Sequence, residues 1–388
     1  MAGWNTLFDQ TRAAFAQQRC FERARRLGLS PLTCLGRRTL SGLLCATGQQ
    51  FSDWSAAYRL FECERLDSEA LWRIPLHHVL EILPPAGPIV ALIDDTLVRK
   101  RGRRIVGTSW RRDPLGPHFA DNFIWASRFL QISLALPEHP ETPASAARAI
   151  PVDLQHAPSP RKPSRRADPA GPEWQSWRAA AAASAISRRG AERLPHLRQA
   201  IVKFITPLRW ENASGERRLS LLIVRPVAYR LRQGARLSYR NPAYLICSDP
   251  DLPPQQILQA YLWRWEIELN VRDEKTLLGF GQPQVRSDPA VRTTATFFVF
   301  AYALLLLALE NCHLTHSPLP RPRWQRLRPQ RPYPRITTSQ AISLLRADMW
   351  ASALGLQNKN GFAALHDHAT KPFLIHNNLQ SAVLYASG

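Results

Sequence analysis

PIVALIDDTLVRKRGRRIVGTSW, residues 88–110, is the stretch on which the architecture turns. Its first eight residues are a continuous apolar run closed by two carboxylates, Asp94 and Asp95, the pattern of a strand buried inside a sheet. The rest holds two strand-like stretches on either side of Arg101-Gly102, dense in Arg and Lys, which reads as a basic hairpin. FIWASRFLQISLALP, residues 123–137, supplies a third strand. Three consecutive strands that start from an acidic strand end are one half of a ribonuclease H-like layout, so the expected fold class is α/β.

Upstream, residues 1–86 carry apolar positions at three- and four-residue spacings and read as a helical region that breaks at Pro84-Pro85. Within it, TLSGLLCATGQ (39–49) followed by FSDWSAAYRLFE (51–62) can form a DNA-binding helix-turn-helix or plain bundle packing. Downstream, residues 151–172 are rich in Pro, Arg and Ser and read as a linker. Residues 173–201 read as helix, and about 201–249 as a β-rich insertion. A long helix follows Pro253-Pro254 and runs to about Leu278, and a second, very apolar helix covers 293–310. Residues 317–335 hold six Arg, many Pro and no acid, a flexible basic segment. The predicted organisation is therefore a helical DNA-binding region (1–86), an α/β catalytic domain (87–310) and a basic, partly flexible C-terminal region (311–388).

The whole chain has 388 residues, with 51 Lys+Arg against 30 Asp+Glu, a net charge of +21 and a pI near 10.7. Arg accounts for 45 of those cations. Such a field favours a polyanion, and Arg adds planar, bidentate geometry for phosphate. Nucleic acid is the first partner class and an anionic membrane surface the second. Hydrophobic residues make up 45% of the sequence, which excludes a disordered basic tail. The six cysteines form no C-x-x-C pair, so a structural zinc site or a disulfide framework is not expected, and a reducing compartment fits. The N-terminal residues lack a charged segment followed by an apolar one, the secretory pattern. The apolar run Ala295–Leu309 falls short of the roughly 20 residues a spanning helix needs, and reads as a buried core helix. A cytoplasmic, nucleoid-associated protein is the expectation.

The chemistry-bearing stretch is QQILQAYLWRWEIELNVRDEKTLLG, residues 255–279. At roughly 100° per residue, Tyr261, Arg264, Glu268 and Lys275 fall within a helical stripe about 60° wide. A phenol, a guanidinium, a carboxylate and an ammonium then point the same way, while Glu266, Asp273 and Glu274 point elsewhere. A carboxylate there can hold a divalent metal while its neighbours grip phosphate oxygens, the division of labour that metal-assisted phosphodiester chemistry requires. The competing reading is a solvated helix face with i, i+4 ion pairs; Trp263, Trp265 and the flanking apolar residues argue against full solvation. His77-His78 and the His366/His368 pair have no third ligand at a recognised spacing and read as surface or packing histidines.

The spacing Y-x2-R-x3-E-x6-K, met by Tyr261, Arg264, Glu268 and Lys275, resembles the signature of a large group of bacterial insertion-sequence transposases of the DDE type. In that group the first catalytic Asp stands in a D-x-T context at a strand end, matched here by Asp94 and Thr96, and a β-rich insertion precedes the Glu helix. The resemblance covers roughly Pro88–Leu309. It implies a ribonuclease H-like (retroviral integrase-like) core in which Asp, Asp and Glu hold two Mg²⁺ ions, with Mn²⁺ as a substitute, for DNA strand cleavage and strand transfer. It also implies double-stranded DNA, both transposon ends and target, as partner, with a homodimer on DNA. Carried over, Asp94 and Glu268 are metal ligands and catalytic, and Tyr261, Arg264 and Lys275 hold phosphates. Asp95 is an alternative to Asp94, because adjacent strand residues face opposite ways. The family's middle Asp has no good counterpart. Asp113, Asp121, Asp153 and Asp168 fall in loops or the Pro-rich segment, and Asp249, the remaining candidate, stands only 19 residues before Glu268. The expected reading is a transposase copy from which an internal stretch has been deleted; the alternatives are an inactive protein that binds transposon ends without cutting them and a metal-dependent nuclease on the same core.

Overall fold

The structure, a computed structural model, describes residues 2–85, 89–114, 122–138, 145–158, 202–209, 218–226, 242–311 and 336–353, with isolated positions at 116, 175, 228–230, 234 and 236–239. The N-terminal region forms helices α1 (Ala2–Asp9), α2 (Gln18–Gly28), α3 (Ser30–Thr33), α4 (Leu40–Ala46), α5 (Ser55–Glu62) and α6 (Ser68–Ile82). Asp67 caps α6, its Oδ1 accepting the amides of Glu69 and Ala70 at 2.9 and 3.1 Å. The candidate helix-turn-helix does not form. Eight residues separate α4 from α5, where such a motif uses a turn of about three or four. Moreover α5 buries Ala57, Leu60 and Phe61, so it serves as core packing.

That core is organised by α9 (Asp288–Asn311), the apolar helix of the sequence reading. It has the length and hydropathy to cross a membrane, but its apolar window is 94% buried within the protein. Phe61 packs edge-on to Phe297 at 5.4 Å, Trp72 and Phe8 pack against Phe300, and Trp4 Nε1 donates to the Ala301 carbonyl. The change of texture at Gly87 is therefore a change of element type within one continuous core that runs from Trp4 to Leu345. Within the region 311–388, α10 (Thr338–Ala353) also joins this core through Ala341, Ile342, Leu344 and Leu345. Residues 317–335 lie outside the described residues.

An antiparallel sheet covers another side of α9. Its strands are β1 (Ala91–Arg99), β2 (Ser109–Arg112), β3 (Phe123–Pro137) and β4 (Ala147–His156). β3 is central, with β1 on one side and both β2 and β4 on the other, since Ala126 pairs with Arg99 across one edge and with Ser109 across the other. Three expectations change here. Asp94 and Asp95 stand in the middle of β1, opposite Gln131 and Leu130, and not at its end; among the described strands β1 is also an edge, not the centre. β1 and β2 do not form a hairpin, because residues 100–108 cross over the end of β3, drawn there by Val106 N donating to Arg286 O and Lys100 Nζ to Pro283 O. The linker starts later than residue 151: β4 runs on through His156, with Pro151 tolerated at a register irregularity opposite Ile132/Ser133. Antiparallel to β4 runs α9, Asp288 lying 3.7 Å from His156 at one end and Glu310 3.1 Å from Arg148 at the other.

The β-rich insertion is present as β5 (Val202–Leu208), β6 (Leu219–Val224) and β9 (Ala243–Cys247), a second antiparallel sheet in the order β5-β6-β9, beside the short pair β7 (Ala228–Tyr229) and β8 (Ser238–Tyr239). The helix expected over 173–201 lies outside the described residues apart from Gln175. The long helix after Pro253 is present as α7 (Pro254–Trp263) and α8 (Trp265–Thr276), which meet at Arg264 with helical dihedrals (φ −52°, ψ −32°). Together the elements give a mixed α/β protein built on antiparallel sheets, compatible with a DDE nuclease fold.

The crossing segment 100–108 is held by Gly107, which adopts φ +76° with its Cα pressed against the imidazole of His156 and against Pro158. A methyl group there meets both the steric penalty of positive φ and the buried ring. Gly107→Ala should lower unfolding free energy by about 2 kcal/mol or more in urea titrations. A change within about 0.5 kcal/mol would show that the contact yields without cost.

Candidate active site

Helices α7 and α8 lie across the sheet, and the sequence explains their seat. On α7, Ile257 and Tyr261 join Leu222, Val224 and Leu245 in the small core beneath the insertion sheet. Trp263 Nε1 and Gln259 Nε2 both donate to the Ser145 carbonyl, at 2.9 and 3.2 Å. On α8, fully buried Ile267 packs with Leu92, Ala135, Ala147 and Ala149. Asn270 Nδ2 donates to Ala149 O at 2.8 Å, and its Oδ1 accepts from the Tyr302 hydroxyl of α9 at 3.2 Å. Small alanines on the sheet let the helix approach closely, so that the Leu92-Asp94-Thr96-Val98 face of β1 lies beneath it.

Asp94 is on that face, and both Arg264 and Lys275 are near enough to stabilise its charge. Their pull is outweighed: burial first, then the like charge of Asp95, raises the Asp94 carboxyl above the usual carboxylate range. Arg264 Nη2 pairs with Glu268 Oε1 at 3.2 Å, and its guanidinium lies 5.8 Å from the Tyr261 ring centroid. Lys275 is pushed down by burial, against the opposing pull of Glu274, Asp94 and Asp113. The fold thus brings Asp94 to the stripe of Tyr261, Arg264, Glu268 and Lys275, in which all four are partly buried.

The two alternative carboxylates are placed elsewhere. Asp95 faces the other side of β1, where its Oδ2 accepts from Arg128 Nε at 2.7 Å. Asp249 is exposed and holds a turn, its Oδ1 accepting the Asp251 amide at 3.0 Å. Asp153 Oδ1 likewise accepts its neighbour's amide, from Leu154 at 2.8 Å. Two residues that the sequence reading passed over sit close to the stripe. Asp113, set aside as a loop acid, is buried, paired with Arg99 at 2.5 Å and near Lys275. Glu274, expected to point away, is fully buried beside Gln131, the cross-strand partner of Asp94. No sequence signal marks Asp113; for Glu274, its neighbourhood to Lys275 on a helix whose other face is apolar is the only hint.

Glu274 is chemically the odd member. Burial raises its carboxyl to about 8. Neither of its oxygens meets a donor in hydrogen-bonding geometry among the described residues, and the same holds for Gln131 Oε1, while Gln131 Nε2 is directed at Ser133 Oγ, 3.4 Å away. The Gln131 side chain beside it favours the charged form, but burial outweighs that pull.

Residues 15–175 match the family described as DDE superfamily endonuclease, and this match supports a DDE-type transposase. The matched range, less than half of the chain, contains α2–α6 and β1–β4 with Asp94, and stops before the Tyr261–Lys275 helix. No curated protein matches the chain. Enzymes of the DDE superfamily generally use divalent metals. The donors here fit such a pair of ions poorly. Among the described residues no three His, Cys, Asp or Glu side chains form a group able to hold a metal, Glu268 is engaged by Arg264, and burial raises the Glu274 carboxyl to about 8. Asp94 and Glu268 alone do not make a two-ion site, and no cleavage step follows from them.

The pH dependence of stability follows from Glu274. Its carboxyl ionises near the ordinary 4.5 when unfolded and near 8 when folded, so the unfolded chain loses its proton first as pH rises. Stability therefore falls between these values, by up to about 1.4 kcal/mol per pH unit. Lys100, held down near 8 by burial, acts with the opposite sign and only above that value. Urea denaturation of Glu274→Gln should show a flatter stability profile from about pH 5 to 8 than the parent, and higher stability at about pH 8. Parallel profiles would mean that Glu274 is ionised in the folded protein.

Proposed function

We propose that the chain is an insertion-sequence transposase of the group with the Y-x2-R-x3-E-x6-K signature, in a copy that binds transposon-end DNA but lacks the middle catalytic Asp. On this reading β1, β3 and β4 are the opening antiparallel strands of a ribonuclease H-like core. Tyr261, Arg264 and Lys275 hold end phosphates, and Asp94 and Glu268 are what remains of the ligand set for Mg²⁺ or Mn²⁺. The protein works as a dimer on double-stranded DNA, in the cytoplasm with the nucleoid. The observation that carries the reading is the convergence of Asp94 with Arg264 and Lys275, without a group of three carboxylates able to hold a metal among the described residues. The family match adds the DDE endonuclease pattern over residues 15–175. The net charge of +21 supplies the field that draws DNA.

The experiment is a pair of assays on the DNA flanking the coding sequence. Binding should be tight at low salt and fall steeply between about 50 and 200 mM, with a log–log slope near −0.9 per neutralised phosphate. Arg264→Ala and Lys275→Ala should weaken binding, each removing a charge-assisted contact worth roughly 1.5–3 kcal/mol. Glu268→Gln should keep fold and affinity. With Mg²⁺ or Mn²⁺ present, the parent should give no nicked product. Flat salt dependence would sink the binding claim. Efficient cleavage lost in Asp249→Ala would show a complete triad, and joined products would then separate a transposase from a nuclease.

A further inference from the structure

On one face of β2 and β3, Trp110 stands opposite Trp125 and Arg112 opposite Phe123. The two indoles meet edge to face, centroids 5.7 Å apart at 76°. The Arg103 guanidinium lies 4.7 Å from the centroids of both rings. Trp125 Nε1 donates to the Gly102 carbonyl at 3.1 Å, which fixes the turn that carries Arg103. Even under Arg103, Trp110 stays 56% exposed, and Phe123 is 55% exposed. Arg101, Arg103, Arg104 and Arg112 are exposed around them.

Phosphate binding explains the arginines but not the rings. Exposed aromatic surface of this extent, rimmed by cations, suits a ligand with both a phosphate backbone and flat π-systems. Paired bases inside a duplex keep their faces stacked on each other, so only an unpaired base has a face to offer. The position relative to the stripe is also informative. Trp125 is six residues from Gln131 on the same strand, so both point to one face, the face of Asp94. At about 3.3 Å per residue the platform lies roughly 20 Å along the sheet from Asp94, within reach of one DNA strand crossing both.

We propose that Trp110 and Trp125, with Arg103, form a stacking platform for an unpaired base of a DNA strand whose phosphates are held by the surrounding arginines. This rests on the DNA-binding reading above and adds a preference for ends that carry single-stranded DNA.

The test compares a blunt duplex with the same duplex bearing a short oligo-dT overhang, by fluorescence anisotropy with the full chain. The parent should bind the overhang form about tenfold more tightly, the contribution of one stacked base. Trp110→Ala should remove that difference, with an unchanged urea unfolding transition reporting intact folding, while Trp110→Tyr should retain most of it. Equal affinity of the parent for both probes overturns the platform alone. Loss of overhang preference in neither Trp110→Ala nor a Trp125→Ala variant does the same. Binding to neither probe overturns the platform together with the DNA-binding reading.

Discussion

A helix that is apolar all the way round has to be enclosed on every side, and this requirement of α9 arranges the rest of the molecule. At 24 residues, with 18 of them buried, it needs more cover than one sheet face can give. Helices from the first 85 residues supply part of it, β4 runs along another side, and α10 closes the remainder. The polar groups that α9 does carry are used to fasten these covers. Thr293 donates to Phe61 O, Tyr302 bridges Asn270 and Thr338, and Glu310 meets Arg148.

The charged stripe takes its properties from the same enclosure. Because α8 is clamped between the sheet and α9 through Ile267 and Asn270, Glu274 is fully buried and Lys275 partly so. In that setting one cation serves several carboxyls. Lys275 lies near Asp94, Asp113 and Glu274, and the cost of burying so many acids is lowered when one of them stays neutral. Nearer the surface, Arg264 lies over Tyr261 and pairs with Glu268, an arrangement in which the guanidinium is oriented before any phosphate arrives.

What the sequence displays openly is local. The strand Phe123–Pro137, the insertion strands and the helix following Pro253 could be read from apolar runs, Pro positions and helical spacing, since each depends on neighbours within a few residues. The stripe of Tyr261, Arg264, Glu268 and Lys275 was legible for the same reason. What could not be read depends on distant partners. Nothing near Arg101-Gly102 tells that β2 crosses to the far edge of β3; Lys100 and Val106 take that path because residues 281–286 receive them. Pro151 argues locally for a loop, yet a bulge at Val152 lets β4 continue past it. The burial of Glu274 depends on Gln131, more than a hundred residues upstream, and α5 is a core helix because of Phe297, not because of its own sequence.

The bond from Trp4 Nε1 to Ala301 O joins positions 297 residues apart, and Arg346 reaches Leu32 over 314. For a chain made on the ribosome this separation becomes a delay. At about 5–20 residues per second, α1 and α2 wait roughly 15–60 s after leaving the exit tunnel before their main packing partner exists. Through that interval Trp4, Phe8, Phe15 and Phe21 are apolar surfaces without a core to enter, and high contact order slows the search once α9 has emerged. The mature arrangement hides nearly all of its most apolar helix, and the nascent one exposes the surfaces meant to cover it. Yield in a cell should therefore respond to translation rate and to chaperone supply more strongly than the stability of the finished protein would suggest.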